Sequence, residues 1–158
     1  MDCVRVEAQE HLARVRELFE EYADWLDIDL CFQDFERELA SLPGAYAPPD
    51  GRLLLTVIGG TAAACVALRK WSLDICEMKR LYVRSAFRGH GVGKGLAMMI
   101  VGEARMIGYE RIRLDTIPSM TTAIDLYESL GFREIEPYRH NPIEGAKFME
   151  LILTPQDA

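Results

Sequence analysis

The chain has 158 residues, close to the ~150 of one domain, and it is 49% hydrophobic against 27% charged, enough apolar material for a real core. Eighteen Lys and Arg against twenty-five Asp and Glu leave a net charge of −7. That argues against a nucleic-acid binder, which needs cationic surface to displace phosphate counterions, and modestly favours cationic partners such as amines.

Residues 2–7 alternate, with Val4 and Val6 apolar and Arg5 and Glu7 polar, and predict a short strand. Leu12, Val15, Leu18, Phe19, Tyr22, Trp25 and Leu26 then recur at helical spacing. A second helix carries Phe32, Phe35, Leu39 and Leu42 on one face and stops at Pro43-Gly44. The aromatic residues of both helices read as core. Pro43 to Gly51 is a loop inside one domain, 1–158.

Leu53 to Ile58 and Thr61 to Leu68 are apolar β-runs, and Gly59-Gly60 between them supplies the positive φ angles of a tight hairpin. Ile75 to Val83 is a third strand. Helix (Val92 to Ile107), strand (Arg111 to Leu114), helix (Ser119 to Leu130) and strands near Arg133–Ile135 and Lys147–Leu153 follow. The order β-α-α-β-β-β-α-β-α-β-β predicts an α/β mixed sheet, largely antiparallel, with helices on both faces. No signal-like segment opens the chain, and Leu53 to Leu68, its longest uncharged stretch, is too short for a bilayer. A cytoplasmic protein with no membrane or nucleic-acid partner is expected. Cys3, Cys31, Cys65 and Cys76 lack CxxC pairing and read as reduced, buried thiols, with no metal expected.

The segment Leu81 to Gly95 runs from a strand through Arg88-Gly89-His90-Gly91-Val92-Gly93-Lys94 directly into a helix. Glycines at 89, 91 and 93 remove the Cβ atoms that would hold a ligand off the backbone. The amides then point at whatever sits over the helix N-terminus, and an anion, above all a phosphate, is the natural occupant. A hydrogen bond to a charged group contributes ~1.5–3 kcal/mol. Three or four such amides supply much of the ~8 kcal/mol behind micromolar binding. Neither the Walker A spacing nor the G-x-G-x-x-G dinucleotide spacing fits these glycines.

R-x-x-G-x-G does fit, on Arg88, Gly91 and Gly93. With Ala123-Ile124-Asp125-Leu126-Tyr127-Glu128-Ser129-Leu130-Gly131-Phe132 about thirty residues later, the chain resembles the GNAT superfamily of acyl-CoA-dependent N-acetyltransferases. The resemblance implies acetyl-CoA as cosubstrate and an amine acceptor, and homodimers are common in such families. It assigns the backbone of Leu81 and Val83 to the pantetheine arm. The pyrophosphate falls to Arg88, Gly89, Gly91, Val92, Gly93 and Lys94. Ser119 stands in the loop where many members carry a coenzyme-contacting Asn, and is expected either to take over that contact or to cap the helix.

Acetyl transfer needs a neutral amine, a stabilised oxyanion and a proton for the leaving thiolate. Glu77 matches the place of the family's general base, with Glu150 or water as alternatives. Strand alternation puts Glu77, Lys79, Leu81 and Val83 on one face. Tyr127, placed against the coenzyme, is the implied general acid, and the Leu81 amide the implied oxyanion donor. His11, His90 and His140 lack partner spacing for catalysis. In this fold class the acceptor lies between the first two helices and the late loop from Pro137 to Gly145, which nominates Asp27, Asp29, Tyr138 and Asn141. A module that binds coenzyme A or acyl-CoA without turnover is the alternative reading.

Overall fold

The structure, a computed structural model, describes residues 2–6, 9–26 and 34–153. The amphipathic and alternating patterns become β1 (Asp2–Arg5), α1 (Gln9–Leu26), α2 (Phe35–Ser41), β2 (Arg52–Ile58), β3 (Thr61–Lys70) and β4 (Ile75–Val83). They continue as α3 (Val92–Ile107), β5 (Arg111–Thr116), α4 (Thr121–Ser129), β6 (Arg133–Ile135) and β7 (Lys147–Ile152). Element types and order are as the sequence predicts. The boundaries move by a residue or two, most visibly at α4, which starts at Thr121 rather than Ser119.

The strands form one sheet in the order β1-β2-β3-β4-β5-β7-β6. Only the β4–β5 pair is parallel, because α3 carries the chain back across the sheet between them. The β2–β3 hairpin closes on Gly59 and Gly60 at φ 57° and 80°, as their sequence predicts. One sheet face packs Leu54, Val66, Leu68, Met78, Ile112 and Leu114 against Leu96, Ile100 and Ala104 of α3 and Tyr127 of α4. The other packs Leu53, Leu55, Cys65 and Ala67 against Val15, Leu18 and Phe19 of α1, with Phe35 and Leu39 of α2 at its margin.

Trp25 departs from the expected core role. It is 48% exposed, and its ring instead meets Tyr22 and Tyr82 at centroid distances of 6.4 and 5.9 Å. It lies in the last turn of α1, where the helix has run past the sheet face it covers. Phe32 and Cys31 fall outside the described residues; Cys3, Cys65 and Cys76 are free thiols, the last two buried.

A second departure governs the site. Cys65 pairs with Tyr82 but Ala67 pairs with Lys79, so Val66 faces both Arg80 and Leu81: β4 carries a bulge. Arg80 takes φ 63°, an uncommon backbone for a long side chain. Its guanidinium is bound at both ends by Glu38 of α2, Nε to Oε2 at 2.9 Å and Nη2 to Oε1 at 2.8 Å. Burial alone would raise the Glu38 carboxyl, but the hydrogen bonds and charge of Arg80 outweigh it and hold it below the usual range. The extra residue breaks the period of two. Glu77 and Lys79 face the α1–α2 side with Arg69 and Ala67, while Leu81 and Val83 turn to the α3–α4 side. The four do not share a face.

Candidate active site

The turn after β4 has the form its glycines dictate. Gly89 and Gly91 sit at φ 84° and 78°, and an added Cβ at either would meet nothing within 4 Å. Their conformation, not crowding by the protein, is what calls for glycine. At Gly93 a Cβ would touch the Val83 side chain at 3.4 Å, so α3 starts in close approach to β4. Gly91 is the N-cap residue and no side chain caps the helix. The helical ladder opens with the Gly95 N–H donating to the Gly91 carbonyl at 3.0 Å. The amides of Val92, Gly93 and Lys94 therefore project into the space above the two left-handed glycines. Lys94 is exposed beside them, and the Val92 side chain is buried beneath.

Arg88 is placed otherwise than its motif suggests. Its Nε donates to the Val83 carbonyl at 2.8 Å, and its guanidinium lies 4.6 Å from the Trp25 ring centroid and 5.8 Å from that of Tyr82. It ties the end of β4 to α1. The Val83 carbonyl is thereby already engaged.

β4 pairs with β5 only over Ile75–Glu77, opposite Arg111–Arg113, whereas β3 follows β4 as far as Val83. The strands thus part after Glu77, leaving the β5-side edge of β4 without a partner strand just where the bulge lies. Tyr127 stands on the α3–α4 side of this opening, its ring 5.7 Å from Phe132, and its hydroxyl makes no hydrogen bond to a described residue. Burial first, and the nearby Tyr22 phenol second, push its pKa up. Tyr22 comes from α1 on the opposite face, so the two phenols approach each other through the opening. Tyr22 is itself pushed up to about 12, chiefly by burial. The second motif ends as its Gly131 predicts. At φ 101° this residue donates to the Glu128 carbonyl, and Phe132 donates to that of Tyr127, closing α4 with a Schellman turn. Ser119 is exposed in the turn before α4 and caps nothing; Met120 occupies the N-cap position.

On the α1–α2 side of the sheet, residues 136–146 between β6 and β7 fold over it. Tyr138 sets its ring between Trp71 and Phe148, at 5.0 and 5.2 Å, and its hydroxyl donates to Glu77 Oε2 at 2.7 Å. Burial, then the Glu77 charge, push the Tyr138 phenol up and keep it a donor. Glu77 is fully buried and also accepts from Arg69 Nε at 2.8 Å and, at both oxygens, from Arg139 Nη2. Those contacts use all the lone pairs of a carboxylate. Glu77 therefore offers no position to an incoming proton, and what it does in this arrangement is anchor the loop. Glu150 is similarly clamped, by Arg111 Nη1 at 2.9 Å and Arg113 Nε at 2.6 Å. Asn141 bridges Asp115 Oδ2 at 3.1 Å and the Ile143 amide at 2.9 Å, a second tether of the same loop. Asp27 and Asp29 lie outside the described residues.

Lys79, which strand alternation sets on the same face as Glu77, is given no chemical role by the sequence. It is 7% exposed, and burial first, then the Arg80 charge, pull its ammonium down to about 7, against the opposing pull of Glu77. Among the described residues no group of three or more His, Cys, Asp or Glu converges as a metal site would require.

The site thus combines an uncapped helix start beneath paired left-handed glycines with two strands that part at a bulge. Residues 12–132 match the model of the acetyltransferase (GNAT) family, and the chain belongs to that family. An uncharacterized N-acetyltransferase of Schizosaccharomyces pombe is 40% identical over 136 residues, 85% of this chain and 83% of that one. A GNAT-family acetyltransferase from Staphylococcus aureus shares the fold at a TM-score of 0.79 and 18% identity, over 96% of this chain and 98% of that one. One from Elizabethkingia anophelis, solved with acetyl-CoA bound, aligns at a TM-score of 0.56 and 24% identity over 65% of this chain and 76% of that one. The protein is an acyltransferase. No helix among the described residues is long and apolar enough to cross a membrane.

Proposed function

We propose that the protein moves an acetyl group from acetyl-CoA to a primary amine by direct attack in a ternary complex. The observation that carries this reading is the uncapped first turn of α3 below Gly89 and Gly91. Those amides suit a diphosphate, with Lys94 beside them and Ser119 as a further coenzyme contact. The parted strands suit an extended arm laid along Leu81 and Val83, and the Elizabethkingia protein of similar fold was solved with acetyl-CoA bound. When bound, the thioester supplies an activated acetyl group.

The chain's own groups do the rest. At the bulge, beyond the end of the β4–β5 pairing, the Leu81 N–H donates to the carbonyl oxygen as negative charge grows there. Tyr127 holds a proton uncommitted to any described residue and gives it to the departing sulfur; its raised pKa makes that transfer more uphill, so close placement must compensate. With Glu77 and Glu150 clamped by arginines, neither takes the amine's proton. Water in the acceptor cleft hands it to Lys79, which is about half neutral near pH 7.

Thiol release from acetyl-CoA across a panel of primary amines tests the reading. Release should depend on the amine, and Tyr127→Phe should slow it by about a hundredfold without changing stabilisation by coenzyme A. Coenzyme A binding with no release for any amine would favour the non-catalytic binding module instead.

A further inference from the structure

The acceptor side of the sheet is cationic in a chain whose net charge is −7. Arg69, Lys79, Arg111, Arg113 and Arg139 stand there against Glu77, Glu150 and Asp115. Glu77 has all its acceptor positions filled, Glu150 holds one arginine at each oxygen, and Asp115 has one oxygen on Asn141. Among the described residues, each of these three carboxylates already holds an arginine or an amide, which disfavours a polycationic acceptor.

The arginines are not used up. Arg113 gives only Nε to Glu150, and its two Nη groups have no acceptor among the described residues. Arg139 gives Nη2 to Glu77, and its Nε is buried with no acceptor. Both guanidinium groups lie against the Tyr138 ring, 5.2 and 5.9 Å from its centroid, so their unspent donors gather around one side chain. A buried guanidinium N–H without an acceptor is costly, and the planar fork of arginine fits a carboxylate. Lys79, whose ammonium is disfavoured by burial and by the charges of Arg80, Arg139 and Arg69, reports the same positive field.

We propose that the acceptor is an α-amino acid, or another amine with a carboxylate beside it, and that Arg113 and Arg139 receive this carboxylate beneath the loop between β6 and β7. The inference rests on the acetyl-transfer reading above and narrows its acceptor.

The test compares thiol release from saturating acetyl-CoA with free amino acids, their α-carboxamides and spermidine, each rate corrected for the amine's own neutral fraction. At least one amino acid should exceed its amide in kcat/KM by roughly tenfold to hundredfold, mainly through KM, the weight of one charge-assisted hydrogen bond. Arg113→Gln and Arg139→Lys should bring that acid-to-amide ratio towards one while stabilisation by coenzyme A holds. Arg113→Gln leaves Arg111 on Glu150, and Arg139→Lys leaves Arg69 and a lysine at Glu77, so each buried carboxylate keeps a cationic partner. Equal use of amides or spermidine, or a ratio that survives in both variants, overturns the inference. So does a protein that coenzyme A stabilises but that acetylates no amino acid, an outcome that leaves the coenzyme site standing. Failure of coenzyme A to stabilise the protein at all would remove the acetyl-transfer reading and this inference together.

Discussion

Lys79→Met should stabilise the protein, and the gain should fall as pH rises. Below pH 7 the lysine is charged in both folded and unfolded chains, so the full cost of burying an ammonium is present. Between about 7, its folded value, and the ordinary 10.5, the folded chain releases the proton first, and wild-type stability climbs with pH. At about 1.4 kcal/mol per unit, the wild type recovers roughly 2–3 kcal/mol between pH 6 and pH 9. Met keeps the length of the side chain and carries no proton, so its advantage shrinks by that amount. Glu77 still has Arg69, Arg139 and Tyr138 in the variant, so that carboxylate is not stranded. Arginines stay protonated throughout this window. Urea denaturation of both proteins at pH 6, 7.5 and 9 measures the difference directly. A gain that does not change with pH would show that Lys79 keeps its proton when folded, and the proton-acceptor role proposed for it would go with that result.

Gly91→Glu should abolish the rise in melting temperature that coenzyme A causes, because it sets a carboxylate among the amides proposed to hold the diphosphate. Gly91→Ala, which meets nothing within 4 Å, should cost only the ~1–2 kcal/mol of a left-handed non-glycine residue; unchanged binding by the Glu variant would take the loop out of the site. Glu38→Gln should lower stability by about 3–5 kcal/mol in denaturant titration, since it strands the Arg80 charge at 3% side-chain exposure. A loss under about 1 kcal/mol would mean that other groups replace the carboxylate.

The sheet, the helix order and the glycine cradle were readable in the residues because each is a local matter. A period of two or of 3.6, a glycine pair at a hairpin and Gly131 after a helix all act within a few positions. The bulge was not readable, since an arginine in a left-handed conformation carries no mark in the chain. Its pairing with Glu38 spans 42 residues. Alternation carried through Arg80 therefore placed Leu81 and Val83 on the wrong face. The clamps on Glu77 were hidden in the same way: Tyr138 and Arg139 lie 61 and 62 residues away. Arg69 is the exception, because counting back through the β3–β4 hairpin register sets it opposite Glu77. Net charge is a poor guide to the cleft. An acidic chain suggested an acceptor cleft attractive to cations, but a sum over all residues says nothing of how the arginines gather under one loop.

The extra residue in β4 lets a single strand turn its two ends to opposite sides of the sheet, and that arrangement is fragile in one particular way. Deleting Arg80 would lengthen no loop and expose no new apolar side chain, yet it would rotate everything after it by half a turn. Val83 would swing towards α1 and Tyr82 towards α3, so donor and acceptor would each meet the lining meant for the other. Homologues that keep the glycine cradle but differ in length by one residue at this point should therefore have lost the transfer reaction while still holding its donor.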